Sequence, residues 1–131
     1  MRRDMDLIRV IMLKLEDWDK SPGSILSTSD IENEFPIEGY THHQVMYHYK
    51  LIVDKGWIDT GGFPVITFRT LYFRGLTNEG HDFVDSVRDE AVWAMTRDGA
   101  KKAGAFTLEL LGQLAKGFAK KQIEKHTGIE L

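Results

Sequence analysis

A chain of 131 residues, 42% hydrophobic and 28% charged with a mean hydropathy of −0.31, has the size and balance of a soluble globular protein. It is long enough to bury roughly two-thirds of the surface its unfolded form exposes. The absence of cysteine excludes a disulfide framework and thiolate chemistry, the net charge of −3 argues against an all-over nucleic-acid coat, and no apolar run approaches membrane-spanning length.

In chain order, residues 4–17 read as an amphipathic helix, with Asp4 or Asp6 in the first turn and Leu7, Ile8, Ile11, Met12 and Leu15 on one stripe. The start is basic, but Asp4, Asp6, Arg9 and Lys14 interrupt what a secretory signal would need as an unbroken apolar run, so a cytoplasmic protein is expected. "DKSPGS", residues 19–24, ends this helix with a Pro-Gly turn. Residues 25–39 send two signals. "STSD" at 27–30 has the form of a helix N-cap, while Ile31, Asn33, Phe35 and Ile37 alternate as a half-buried strand would. Pro36 forbids a long helix, and a short extended segment closing at Gly39 is expected.

Thr41 caps the next helix, whose Val45, Tyr49 and Ile52 follow helical spacing and whose stop is Gly56. "WIDT" and "LYFRGL" flank "GGFPVITFRT", which predicts a two-stranded hairpin with a long tip. Thr77 starts a helix over 77–95 with Phe83, Val84, Val87, Ala91 and Ala94 inward, and residues 97–105 form a glycine-containing break. A last helix over 107–125 carries Leu108, Leu111, Ala115 and Phe118 on one side, with Leu110 and Leu114 beside them.

This order is mainly α with a small β-hairpin (α+β), a winged helix-turn-helix followed by a C-terminal helical extension. The winged-helix-like part is placed at 1–96 and the extension at 97–131, within the same compact unit. Val45, His48, Tyr49, Ile52, Gly56 and Ile58 fall in a register that resembles winged-helix transcription regulators. That register turns Val45, Tyr49 and Ile52 inward and His42, His43, Met46, Tyr47 and Lys50 outward.

Longer stretches carry a second resemblance. "RRDMDLIR", "IEGYTHHQVMYHYKLIVDKGWI", "GLTNEGHDFVDSVRDEAVW" and "AKKAGAFTLELLGQLAK" are similar to a domain-of-unknown-function family of bacterial and prophage proteins, in the same order over roughly residues 2 to 121. Trp57 stands where that family usually has leucine, and the segment "GGFPVITFRT" is this chain's own. The resemblance implies fold and lineage and brings no activity.

Two functions from different classes are expected to compete. In the first, the chain is a DNA-binding or regulatory protein of prophage type. His42, His43, Tyr47 and Lys50 then face the major groove of double-stranded DNA, with Arg69 and Arg74 at the flank. Lys50, Lys55, Arg69 and Arg74 against Asp54 and Asp59 give residues 41–76 a local charge of +2. In the second, a non-catalytic protein-interaction module uses Phe63, Phe68, Tyr72 and Phe73, or the C-terminal stripe, as its contact surface.

Residues 101–131 carry six basic and three acidic residues, so the last helix is basic on one face and apolar on the other. Leu108, Leu111, Leu114 and Phe118 are expected to pack within the chain or form a homodimer. His48 and His81 lack a third ligand at metal spacing and are expected at packing seams. Asp82, Asp85, Asp89 and Glu90 suit the exposed face of a helix, with Asp85 placed to pair with Arg88. No nucleophile–base pair, phosphate loop or cofactor motif is present, so no enzyme activity, cofactor or small-molecule substrate is expected.

Overall fold

The computed structural model describes residues 1–65, 69–104 and 106–131, and divides into two compact units, Met1–Gly80 and His81–Leu131. Among the described residues the chain is mainly helical, with short antiparallel strand pairs.

In the first unit, α1 (Met5–Asp17) starts at Asp4, whose side chain accepts the Leu7 N–H at 3.1 Å. Its buried residues are the five of the sequence stripe. Beyond its end, Trp18 packs its ring on Phe35 at 5.2 Å and, nearly parallel, on Phe73 at 6.1 Å. The extended expectation for 25–39 holds only for β1 (Leu26–Ser27), because Ile31–Glu34 forms a one-turn helix, α2. Glu34 reaches back to accept the N–H groups of Ser29 and Asp30 at 2.7 and 2.9 Å, and these bonds make "STSD" a helix start. The apparent alternation misled because only Ile31 and Phe35, one helical turn apart, are buried.

The third helix, α3 (His42–Lys55), opens with a full capping box between Thr41 and Gln44 and closes at Gly56, where φ is 88°. The expected hairpin forms only where the far end of "LYFRGL" meets "WIDT". β2 (Ile58–Asp59) pairs with β4 (Gly75–Leu76), but β3 (Tyr72–Phe73) pairs instead with β1. Buried Thr28 stitches that second pairing, since its N–H donates to the Leu71 carbonyl while its hydroxyl accepts the Leu71 N–H. The Tyr49 hydroxyl donates to the Tyr72 carbonyl and ties α3 to β3.

The second unit corrects two boundaries. The single helix expected over 77–95 is broken at Arg88 and Asp89 into α4 (Asn78–Val87, beginning in the first unit) and α5 (Glu90–Ala103). Asp89 is an N-cap, accepting the Val92 N–H at 3.0 Å, so it is not merely one of an exposed acidic row. The break resets the helical phase. Val92, Trp93, Thr96 and Ala100 are therefore buried, while Ala91 and Ala94 are exposed. α5 also runs through most of the expected 97–105 break and stops only at Gly104. α6 (Leu108–Thr127) packs on α5 with Leu108, Leu111 and Ala115 buried. Among the described residues no helix is long and apolar enough to cross a membrane.

Candidate nucleic-acid interface

Two non-local clusters hold α3 in place. At its middle, His48 is buried, its Nε2 accepting the Asp4 N–H at 2.8 Å while its Nδ1 lies 2.7 Å from the Gln44 carbonyl. Only the tautomer with hydrogen on Nδ1 satisfies both contacts. The Asp4 carboxylate also accepts the Tyr40 hydroxyl at 3.0 Å, so the start of α1, the segment before α3 and the middle of α3 converge on one aspartate. His48 is thus a satisfied packing histidine, as expected, whereas His81 is exposed and lies at no such seam.

At the C-terminal end of α3, the Thr77 hydroxyl donates to the Gly56 carbonyl at 2.6 Å and accepts the Gly80 N–H at 3.1 Å. Lys55 adds an ion pair to Glu79 at 2.8 Å, and its hydrogen bond is the largest influence holding the Glu79 carboxyl below its ordinary range.

These anchors respond to alkali. Burial first, then the hydrogen bond to Asp4, pushes the Tyr40 phenol up from 10.0 to about 12, and burial raises Tyr49 as well. Both pKa values are raised in the fold, so the native state keeps protons that the unfolded chain releases near its ordinary value. Stability is therefore complete below pH about 10 and is lost as pH climbs toward 12. Melting temperatures across this window should fall, and Tyr40→Phe should flatten part of the slope. A flat wild-type profile refutes the assignment.

On the wet side of α3, His43, Tyr47, Lys50 and Asp54 recur at helical spacing along one stripe. Met46 was expected to join them but is fully buried, because the α3 core stripe is widened by Met46 and His48 beyond Val45, Tyr49 and Ile52. His42 is half-buried, with its Nδ1 2.7 Å from Glu32, and its ring lies 4.0 Å from that of exposed His43. Tyr47 is half-buried and meets the His48 ring edge-on at 5.7 Å.

Three of the expected residues come together. His42, His43 and Arg69 line one open concavity with Ser29, Asp30 and Glu32. Lys50 lies further along α3, and Arg74 is engaged elsewhere, its Nε 2.8 Å from Asp59. The Asp59 carboxyl is held low, first by the Gly61 N–H and then by Arg74.

Three of the four cations behind the local charge of +2 sit on carboxylates, of which only Glu79 lies outside the stretch already summed. Lys50 sits 2.7 Å from Asp54, Arg74 is on Asp59, and Lys55 is on Glu79. Asp30 and Glu32, on the concavity itself, escaped the sequence reading because residues 41–76 were weighed without α2. The N-cap signature at 27–30 was the available signal. The rival aromatic patch also shrinks. Phe73 is buried, Tyr72 is half-buried, and Phe68 lies outside the described residues. Phe63 remains, 46% exposed and stacked on Tyr72 at 4.7 Å. Among the described residues no group of three or more His, Cys, Asp or Glu side chains is arranged to hold a metal ion.

Comparison with known proteins gives lineage. A family model described as a hypothetical protein, DUF2513, matches residues 2–106. An uncharacterized protein of Haemophilus influenzae is 32% identical over 116 residues, covering 88% of this chain and 92% of that protein. No solved structure matches.

Proposed function

This chain belongs to the DUF2513 family of hypothetical proteins, and we propose that it is a winged-helix module that docks on duplex DNA through the first turns of α3 and the Arg69 segment. The element order supports this reading, as does the way one segment after α3 pairs with both β2 and β1. The observation that carries it is the concavity shared by His42, His43 and Arg69, which puts the start of the helix and the loop cation on one surface.

Each group has a distinct task. His43 and Tyr47 offer hydrogen bonds to base edges, and Arg69 and Lys50 meet phosphate. The Lys50–Asp54 pair is exposed, and such pairs contribute only about 0–1 kcal/mol, so phosphate can take the lysine over at small cost. The balance of charge nevertheless makes affinity weak and strongly salt-dependent, since phosphate neutralisation supplies most non-specific binding. The reading implies a cytoplasmic regulatory protein with no cofactor and no catalytic role.

Fluorescence anisotropy on random-sequence duplex tests it. Binding at low salt should weaken as salt rises, and Lys50→Glu with Arg69→Glu should abolish it while leaving the melting temperature nearly unchanged. Absence of binding at low salt sinks the proposal. The second reading, a non-catalytic protein-interaction module, then takes its place. It is favoured by Asp30 and Glu32, whose carboxylates line the same concavity and repel phosphate.

A further inference from the structure

Within the second unit, α6 leaves one side open. Its buried stripe faces α5, and Leu114 and Phe118 lie beside Gly99 of that helix. Next to this contact, Leu110, Gln113, Leu114, Gly117, Phe118 and Lys121 line a largely apolar groove of about 300 Å³. Leu110 is 49% exposed, and nothing lies within 4 Å of the place where a Cβ on Gly117 would stand. Leu110, Leu114, Gly117 and Lys121 recur at intervals of four, three and four, the seam spacing of a helix that pairs with another helix.

We propose that this seam is a homodimer interface in which α6 of one copy packs antiparallel on α6 of a second. Charge selects both occupant and orientation. Glu109 sits in the first turn, whereas Lys116 stands near the middle of the helix and Lys120, Lys121 and Lys125 outweigh Glu124 in its second half. A parallel pair would stack lysines on lysines. An antiparallel pair sets each acidic first turn against the lysines of the other copy and also opposes the helix dipoles.

Shape agrees with charge. Glu109 and Lys120 are three helical turns apart on the same flank of the seam. A two-fold axis midway between Leu114 and Gly117 therefore sets each Glu109 level with the second copy's Gln122 and about 3 Å along the helix from its Lys120, within reach of that long side chain. The same axis seats each Leu114 in the gap left by the other copy's Gly117 and lays Leu110 along the stem of Lys121. This inference stands whether or not the DNA reading does.

Sedimentation velocity of the full chain across a concentration series tests it. A monomer–dimer equilibrium in the micromolar range is expected. Leu110→Glu should abolish it with the circular dichroism spectrum and melting temperature retained, because Leu110 is not part of the buried stripe facing α5. Glu109→Lys and Lys120→Glu should each weaken the dimer severalfold, and the double reversal should restore it. A wild-type monomer at all concentrations overturns the proposal and leaves the groove to a different partner. A dimer unaffected by Leu110→Glu, or a double reversal that fails to rescue, overturns it as well.

Discussion

Gly80→Ala should destabilise the first unit by about 2–4 kcal/mol, although alanine is the better helix former. Gly80 lies in the first turn of α4, and a Cβ there would stand 2.1 Å from the Trp57 carbonyl oxygen and 3.0 Å from its carbon. The clash is with backbone. That carbonyl already accepts the Thr77 N–H at 3.1 Å, and the Trp57 side chain behind it is only 1% exposed, so nothing there yields cheaply. The helix-propensity gain of about 1 kcal/mol is smaller than the overlap it must offset. Gly99→Ala is the control. Its Cβ would meet Phe118 at 3.6 Å, an ordinary contact, so there the propensity gain should survive and raise stability by about 0.5–1 kcal/mol. Urea midpoints of the two variants should move in opposite directions. Equal shifts would show that close approach to Trp57 is not what requires glycine at position 80.

His48→Ala should cost about 2–4 kcal/mol, of which unpaired polarity is a large share. The ring fills a buried site and is the acceptor for the Asp4 N–H, the group immediately before the first turn of α1. Removing it leaves a cavity and a part-buried donor without its partner, and desolvating such a donor costs about 1–3 kcal/mol by itself. Tyr40→Phe takes only one bond from the same aspartate, so it should cost about 1 kcal/mol and serve as a scale. If His48→Ala unfolded at the wild-type urea midpoint, the histidine would be a surface group with a task of its own.

The Asp4 and Gly80 clusters bear on function because both hold α3. Asp4 meets it at His48, and Thr77 meets the carbonyl at its glycine stop. The stretches that carry the family resemblance, "RRDMDLIR", "EGY", "YH" and "LTNEG", therefore supply Asp4, Tyr40, His48, Thr77 and Gly80 to scaffolding. The exposed groups proposed to touch a ligand, His43 and Arg69, take no part in these two clusters. Damage to the scaffold should lower binding and stability together, whereas Lys50→Glu with Arg69→Glu should lower binding alone. That difference separates a fold variant from an interface variant.

What the chain alone determined were the features that close within a turn or two. Asp4 before α1, the Thr41–Gln44 box, the stop at Gly56 and the apolar stripes of α1 and α6 involve neighbours three or four residues apart, so spacing suffices to read them. Everything that needed a distant partner was decided by the tertiary fold. Tyr72 and Phe73 paired with Leu26 and Ser27 instead of joining the expected hairpin, because buried Thr28 could satisfy Leu71 across 43 residues. Lys55, counted as available charge, found a carboxylate 24 residues away and outside the stretch that was summed. A sequence records which donors and acceptors exist. Which of them desolvate one another depends on separations of a few ångströms that only folding sets.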